Sequence, residues 1–434
     1  MKLLVLAASY PHPGHPYSGV FNERSVHALS KICETVEVLA PRPYVPPLVS
    51  AWVPRWNAYR AAPEYQSRNG TLVMRPSTPV FPRWGGALWV DRSAFLWCRG
   101  AARSMHRRTL FDAVLSFDLI GAGGLAWRIG RDLGIPATGW ATGSDIRVPR
   151  SSSFGRSVIR ALERLHVVFY QSHELREKAA GLLGVSPERM SPERHLVLPR
   201  GVPEPPVLAR AKIRNHIRTQ LKIADDAILV LSSGRISRAK GIFELLEAAS
   251  IVAARNPAVI WAVLGSCPAF DETAEAQRKL DDTPCLRDRV RLIPACPSDQ
   301  VWEYLCAADI FAFTSHREGM PNSLLEAMAM EVPVVAFDIP AVEEIDSGRK
   351  NMVRVPLLDS AALARAIIQL AASPGKRADI GAKGKQEVRD RFLAQKNMAT
   401  AVQKIDQTVE QYRACRSCLH ANEGGIFTSK SSLG

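Results

Sequence analysis

An α/β fold of two doubly wound parallel-sheet domains is predicted by three observations. Strand-like apolar runs alternate with helix-like stretches, a proline-rich break interrupts them near mid-chain, and a second alternating series starts directly after it. At 434 residues the chain is long for one α/β core and suits two. The first series opens with the strand Leu3–Ala7 and an amphipathic stretch, Asn22 to Lys31. The strand Val36–Ala40 follows, closed by Pro41, and then Ala113–Phe117, Ile135–Gly139 and Val167–Tyr170. Between Pro199 and Pro206 four prolines stand in eight residues, which neither a helix nor a central strand tolerates, so a linker is expected there. Beyond it come the strands Ile228–Ser232, Val259–Leu264, Val290–Ile293, Ile310–Phe313 and Pro333–Ala336. A helix over Gly241–Ala254 sets Phe243, Leu246, Ala249 and Val252 at core-facing spacing. The expected organisation is a first domain over 1–203, a second over 204–390, a helix over 391–412 returning to the first domain, and a disordered tail over 413–434. Ligands of such sheets bind beyond the strands' carboxyl ends, so the chemistry is sought in strand-to-helix loops that face a cleft between the domains.

Bulk composition narrows the class. With 47% hydrophobic and 23% charged residues the chain is neither disordered nor fibrous, and no apolar run is long enough to span a bilayer. The start, Met1 to Ala8, imitates a signal peptide, but Tyr10-Pro11-His12-Pro13-Gly14 replaces a cleavage site, so a first buried strand and a cytoplasmic protein are expected. Eight scattered cysteines, among them Cys33, Cys98 and Cys306 in apolar surroundings, suit free thiols in a reducing compartment. Cys415-Arg-Ser-Cys418 with His420 lacks a second ligand pair, so no metal is expected. Residues 1–206 hold 26 basic and 15 acidic side chains, which places +11 of the net +14 in that half. Nucleic acid, an anionic membrane and phosphate-bearing substrates all fit that charge. No nucleic-acid recognition module accompanies it, so no nucleic-acid partner is expected.

Two loops carry the chemistry. Ser232-Ser233-Gly234-Arg235-Ile236-Ser237-Arg238-Ala239-Lys240-Gly241 follows a strand and precedes a helix, and its Arg235 and Lys240 are cations suited to neutralising a diphosphate. Ser315 to Ala329 again follows an apolar strand. Gly319 frees the backbone, and Pro321 and Asn322 suit a helix start whose N–H groups attract anions. Glu318 and Glu326 offer carboxylates, which accept paired hydrogen bonds from the vicinal hydroxyls of a sugar or ribose. The alternative for each is a solvated surface charge, less apt for Glu326 between Leu324-Leu325 and Ala327-Met328-Ala329.

Gly234-Arg235…Lys240-Gly241, Glu318-Gly-Met-Pro-Asn-Ser-Leu-Leu-Glu326-Ala-Met-Ala and Val332-Pro-Val-Val-Ala336 together resemble glycosyltransferase family 4, over most of residues 1–400. The resemblance implies a retaining enzyme of the GT-B fold, with two Rossmann-like domains. It implies diphosphate-binding roles for Arg235 and Lys240, donor-sugar contact by Glu318, and backbone N–H groups from Gly319 and Met320. It further implies a ribose contact by Glu326, a donor-side place for Glu344, and a phosphate-covering loop around Gly19 within Ser18-Gly19-Val20-Phe21. Val197 to Val202 resembles the family's pre-linker element, and Thr142 stands where the family commonly has histidine.

The expected reaction moves a sugar from a nucleoside diphosphate sugar to a glycan or lipid-linked acceptor in bacterial cell-surface polysaccharide synthesis. The leaving diphosphate itself helps to deprotonate the acceptor hydroxyl. No Asp-x-Asp motif is present to chelate a metal with the donor, so neither metal nor cofactor is expected. A sugar-nucleotide epimerase of the same architecture is the alternative. A nicotinamide enzyme is disfavoured by the missing G-x-G-x-x-G after the first strand. Finally, Phe81, Trp84, Trp89, Arg92, Phe95, Leu96, Trp97, Arg99, Arg103, Arg107 and Arg108 interleave aromatic and apolar residues with arginine, which suits peripheral contact with an anionic membrane; tryptophans packed in the core are the alternative.

Overall fold

The computed structural model describes residues 1–45, 58–79, 86–256, 258–267 and 271–425, without the side chains of 86–90 and 418–425. The chain forms two compact units, Met1–Pro199 joined by the segment from Lys396, and Arg200–Gln395.

The first unit contains β1 (Lys2–Ala7), β2 (Thr35–Leu39), β3 (Arg42–Tyr44), β4 (Tyr65–Arg68), β5 (Thr71–Met74), β6 (Ser77–Pro79), β7 (Ala113–Phe117), β8 (Ala137–Ala141), β9 (Val167–Tyr170) and β10 (His195–Val197). Eight of them form one sheet in the order β10-β9-β8-β7-β1-β2-β5-β4, while β3 and β6 pair separately. Pairing is parallel except between β4 and β5, which are joined by Asn69-Gly70. Both turn residues have positive φ (49° and 78°), as a tight two-residue hairpin requires. Leu3 to Ala7 are fully buried, which explains the unbroken apolar run. Alternate residues serve opposite faces: Leu4 and Leu6 enter the core with Leu125 and Val158, and Leu3 and Val5 enter the core with Val26 and Phe169.

The second unit contains β11 (Ile228–Ser233), β12 (Val259–Ser266), β13 (Val290–Pro294), β14 (Ile310–Phe313), β15 (Val334–Phe337) and β16 (Val353–Val355). They form one parallel sheet in the order β13-β12-β11-β14-β15-β16. The order reverses direction between β11 and β14, and loops leaving two such strands diverge to open a crevice at their carboxyl ends.

Boundaries differ from the sequence expectation in three places. The units divide at Pro199/Arg200 because Val202 pairs with the far end of the second unit, its N–H donating to the Phe392 carbonyl (2.8 Å) and its own carbonyl accepting from Ala394 N–H (2.8 Å). The strand expected at Ile135–Gly139 lies at Ala137–Ala141, since Pro136 cannot join the ladder. The last helix runs Ala394–Gly425, so residues 413–425, expected to be disordered, continue it. Met398, Ala401, Ile405 and Val409 seat it on the first unit's core, and Arg413 extends the hold with an ion pair to Asp112 (2.6 Å).

Candidate active site

The loops after β11 and β14 interlock. Gly241 has φ 71°, and a Cβ there would lie 2.0 Å from the Thr314 carbonyl oxygen, so only glycine permits the approach. Thr314 Oγ1 donates to the Lys240 carbonyl (2.9 Å) and His316 N–H to the Ala239 carbonyl (3.0 Å). This stitching fixes the Lys240 side chain, whose Nζ forms an ion pair with Glu318 Oε1. Ser315 Oγ donates to the same carboxylate oxygen at 2.8 Å. The Glu318 side chain is 17% exposed and that of Lys240 40%, so the pair sits at a mouth rather than in a core.

Arg235, Lys240, Ser315 and Ser323 line a crevice of about 30 Å³, room for little more than one water while the ion pair stands. Arg235 is exposed and makes no ion pair among the described residues. Beyond Glu318 the buried residues Gly319, Met320 and Pro321 lead into the helix Asn322–Ala329, whose first-turn amides lack intrahelical acceptors. Glu326 lies in that helix, 5% exposed among the buried Leu324, Leu325, Ala327 and Met328. Glu344 is half-buried in Pro340–Ile345, the short helix after β15, and its carbonyl accepts from Arg391 (3.2 Å).

The geometry thus brings Arg235 and Lys240 to one crevice, holds Glu318 at its edge through Lys240 and Ser315, and sets Gly319 and Met320 directly after Glu318. Glu326 and Glu344 stand on the two helices following β14 and β15 and do not line the crevice. Gly19 belongs to the first unit, where φ 74° and a Cβ position 2.5 Å from the Ser9 carbonyl make it a close-packing point of the first loop. Sequence reading missed Ser315 and Thr314, ordinary hydroxyls until the loops are seen to interlock. It also missed Asp145, which is buried and accepts from the N–H groups of Leu119 (2.9 Å), Thr142 (3.0 Å) and Gly143 (2.7 Å). An Asp four residues past a strand end, with Gly between, was the available signal. The described residues contain no cluster of His, Cys, Asp or Glu able to hold a metal ion.

A crevice at the strand-order reversal, edged by cations and a carboxylate, directs comparison to nucleotide-dependent enzymes. Residues 213–387 match the family Glycosyl transferases group 1. The matched segment contains every residue that lines the crevice. Over 412 residues the chain is 29% identical to the putative teichuronic acid biosynthesis glycosyltransferase TuaC of Bacillus subtilis, covering 94% of this chain and 99% of the relative. Sucrose-phosphate synthase from Thermosynechococcus elongatus superposes with a TM-score of 0.72 at 19% identity, covering 95% of this chain and all (100%) of that one. The Anabaena protein Alr3699/HepE, solved in complex with UDP, gives a TM-score of 0.68 at 16% identity over 94% of this chain and 100% of its own. The fold is that of the GT-B glycosyltransferases, an α/β fold of two Rossmann-like halves.

Proposed function

We propose that the chain is a retaining, metal-independent glycosyltransferase moving a sugar from a nucleoside diphosphate sugar to a hydroxyl of a glycan or lipid-linked acceptor, in bacterial cell-surface polysaccharide synthesis. The observation that carries this reading is the Lys240–Glu318 pair at the strand-order reversal, with Arg235 exposed beside it. A diphosphate entering the crevice takes Lys240 and Arg235 as partners. Lys240 then gives up Glu318, and the freed carboxylate turns to hydroxyls of the donor sugar. Gly319 and Met320 amides meet the same sugar, Glu326 the ribose, and Glu344 flanks the donor. The bond from the sugar's anomeric carbon to the phosphate oxygen breaks as the acceptor oxygen bonds to that carbon on the same face. The acceptor's proton passes to the departing phosphate, whose growing charge the two cations stabilise. Similarity to a teichuronic acid enzyme and to a UDP complex supports the polymer class and the donor class.

The test is transfer from UDP-, GDP- and ADP-sugars, with the product's anomeric configuration read by NMR. Retention and activity in a chelator are expected; inversion, or loss of activity on chelation, refutes the corresponding part. Release of epimerised donor without transfer would instead favour the epimerase.

Peripheral membrane contact is the finer part of the reading, and the helix Gly86–Thr109 supports it. Leu96 and Trp97 are 68% and 59% exposed there, beside exposed Arg92, Arg103, Arg107 and Arg108. Asp91, the helix's one acid, is buried. Phe95 packs against the core. Arg99 and Arg103 pair with Asp132, and Arg108 with Glu37, which leaves Arg92 and Arg107 unpaired among the described residues. Phe81 and Trp84 lie outside the described residues, as does the side chain of Trp89. No described helix is long and apolar enough to cross a membrane. Basic residues near an anionic surface contribute about 1 kcal/mol each. Co-sedimentation with anionic vesicles at low salt is expected and is weakened by Arg92→Gln with Arg107→Gln; protein left in the supernatant rules the contact out.

A further inference from the structure

The first unit holds a cavity of about 240 Å³ at the carboxyl ends of β1 and β2, with Ser9, His12, Ser18, Arg42, Tyr59 and Arg75 among its lining residues. Arg75 is the unusual member. It is only 2% exposed, yet no carboxylate pairs with it among the described residues. Its Nη2 donates to the Pro11 carbonyl (2.8 Å) and its Nη1 reaches the Pro63 carbonyl (3.5 Å), while Nε has no partner among the described residues. Arg42 is likewise without a carboxylate: its guanidinium donates to the Ala62 carbonyl and to Ser77 Oγ (3.2 Å). The carboxylate that bears on Arg75, Glu23, is held by Arg68 at 2.6 Å, and the other acidic group, the Tyr10 phenol, is kept neutral by burial. His12, 6% exposed, presents a second unpartnered nitrogen, Nδ1, to the same surroundings.

Burying a guanidinium without a counter-charge is costly, so an anion that enters beside it gains a partner whose desolvation is already met. The shortage of negative charge shows in Arg75 itself, whose pKa is pushed down to about 10 by burial and then by Arg68 and Arg42. Carbonyl oxygens offset part of the desolvation but carry no net charge. A planar fork with a free Nε, a second arginine and an imidazole around one cavity suits the two or three oxygens of a carboxylate or phosphate.

We infer that this cavity binds an oxyanion, carried as a carboxylate or a phosphate on a small saccharide-sized ligand, through Arg75 and Arg42 with His12 beside them. That the ligand is the acceptor rests on the glycosyltransferase reading; that the cavity selects an anion does not. A volume of about 240 Å³ admits one monosaccharide-sized group and excludes a longer glycan from full burial.

Calorimetry on the full chain without donor tests it, with glucuronate, glucose 1-phosphate and neutral glucose as the three probes. At least one charged probe is expected to bind about tenfold or more tighter than glucose. Preference for glucuronate identifies a carboxylate, and preference for glucose 1-phosphate a phosphate. Arg75→Lys and the less buried Arg42→Gln are each expected to remove most of that preference while the circular dichroism spectrum and a cooperative unfolding transition of the first unit persist, which shows the variants folded. Equal binding of all three probes, or an undiminished preference in a folded Arg42→Gln protein, overturns the inference. Anion selectivity without any sugar transfer sinks only the transferase reading. Efficient transfer to neutral acceptors with no gain from an acidic group, and no anion binding, sinks only the cavity.

Discussion

Replacing Glu318 by glutamine keeps the side chain's shape and deletes its charge, so it separates two roles that the ion pair with Lys240 combines. With side-chain exposures of 17% and 40%, the pair is screened by solvent and contributes about 0.5–1 kcal/mol. On the proposed reading a diphosphate draws Lys240 away from Glu318, so this energy opposes nucleotide binding in the native protein. Glu318→Gln is therefore expected to bind nucleoside diphosphate about two- to fivefold tighter, the same energy expressed as a ratio. Stability falls little, by roughly 2–4 °C or less, because Ser315 still donates to the amide oxygen and Lys240 is half in water. Turnover moves the other way. A charge-assisted hydrogen bond to the donor sugar is worth about 1.5–3 kcal/mol, so kcat/KM for a nucleotide sugar is expected to drop by roughly tenfold to a hundredfold. Calorimetry with the nucleoside diphosphate and a steady-state transfer assay, run on one preparation, read both. Weaker nucleotide binding together with unchanged kcat/KM would refute the exchange of partners and remove Glu318 from the site.

Arg235→Gln combined with Lys240→Gln is expected to cost nucleoside diphosphate binding about 1.5–3 kcal/mol per contact and to leave the free nucleoside nearly unaffected; an equal loss for both ligands, by calorimetry, means the cations do not touch phosphate. Gly241→Ala forces a Cβ to 2.0 Å from the Thr314 carbonyl at positive φ, so roughly 1–3 kcal/mol of stability is expected to go, with nucleotide binding lost as the loops separate. An unaltered melting curve with full binding contradicts the interlock. His12 and His195 are each pushed down to about 4, both chiefly by burial, against about 6.5 in an unfolded chain. The unfolded state thus holds more protons between those values, so stability is full above about pH 6.5 and declines as pH falls toward 4, by up to about 1.4 kcal/mol per unit for each histidine. Denaturant midpoints of the first unit at pH 7, 6 and 5 check this, and His195→Gln is expected to flatten the slope; a midpoint that is constant or rises on acidification contradicts the sign.

The sequence by itself determined the class of fold and most of its strands. Runs such as Leu3–Ala7 and Ile310–Phe313 are apolar throughout because central parallel strands are buried on both faces, and no other common element reads that way at that length. The proline-rich break and the motif loops were legible for a similar reason, since their constraints are local: where the chain turns, where glycine is needed, where a helix starts. The short strands β3, β4 and β6 were not legible, because edge and two-stranded pairings of three or four half-exposed residues carry no periodic signal. Nor was the length of the last helix, whose polar composition past Gln411 hides the ion pair of Arg413 with Asp112, 301 residues away.

Only the tertiary structure decided what each charge does. Lys240 and Glu318 are 78 residues apart and meet because β11 and β14 are neighbours, so the pairing belongs to strand order and not to either motif. Arg235 stays exposed, Arg99, Arg103 and Arg108 are neutralised by Asp132 and Glu37, and Arg75, indistinguishable in sequence from any surface arginine, is buried without a counter-charge. Burial and the identity of the nearest opposite charge set the electrostatic work of an ionisable group, and both are non-local quantities that a chain acquires only when it folds.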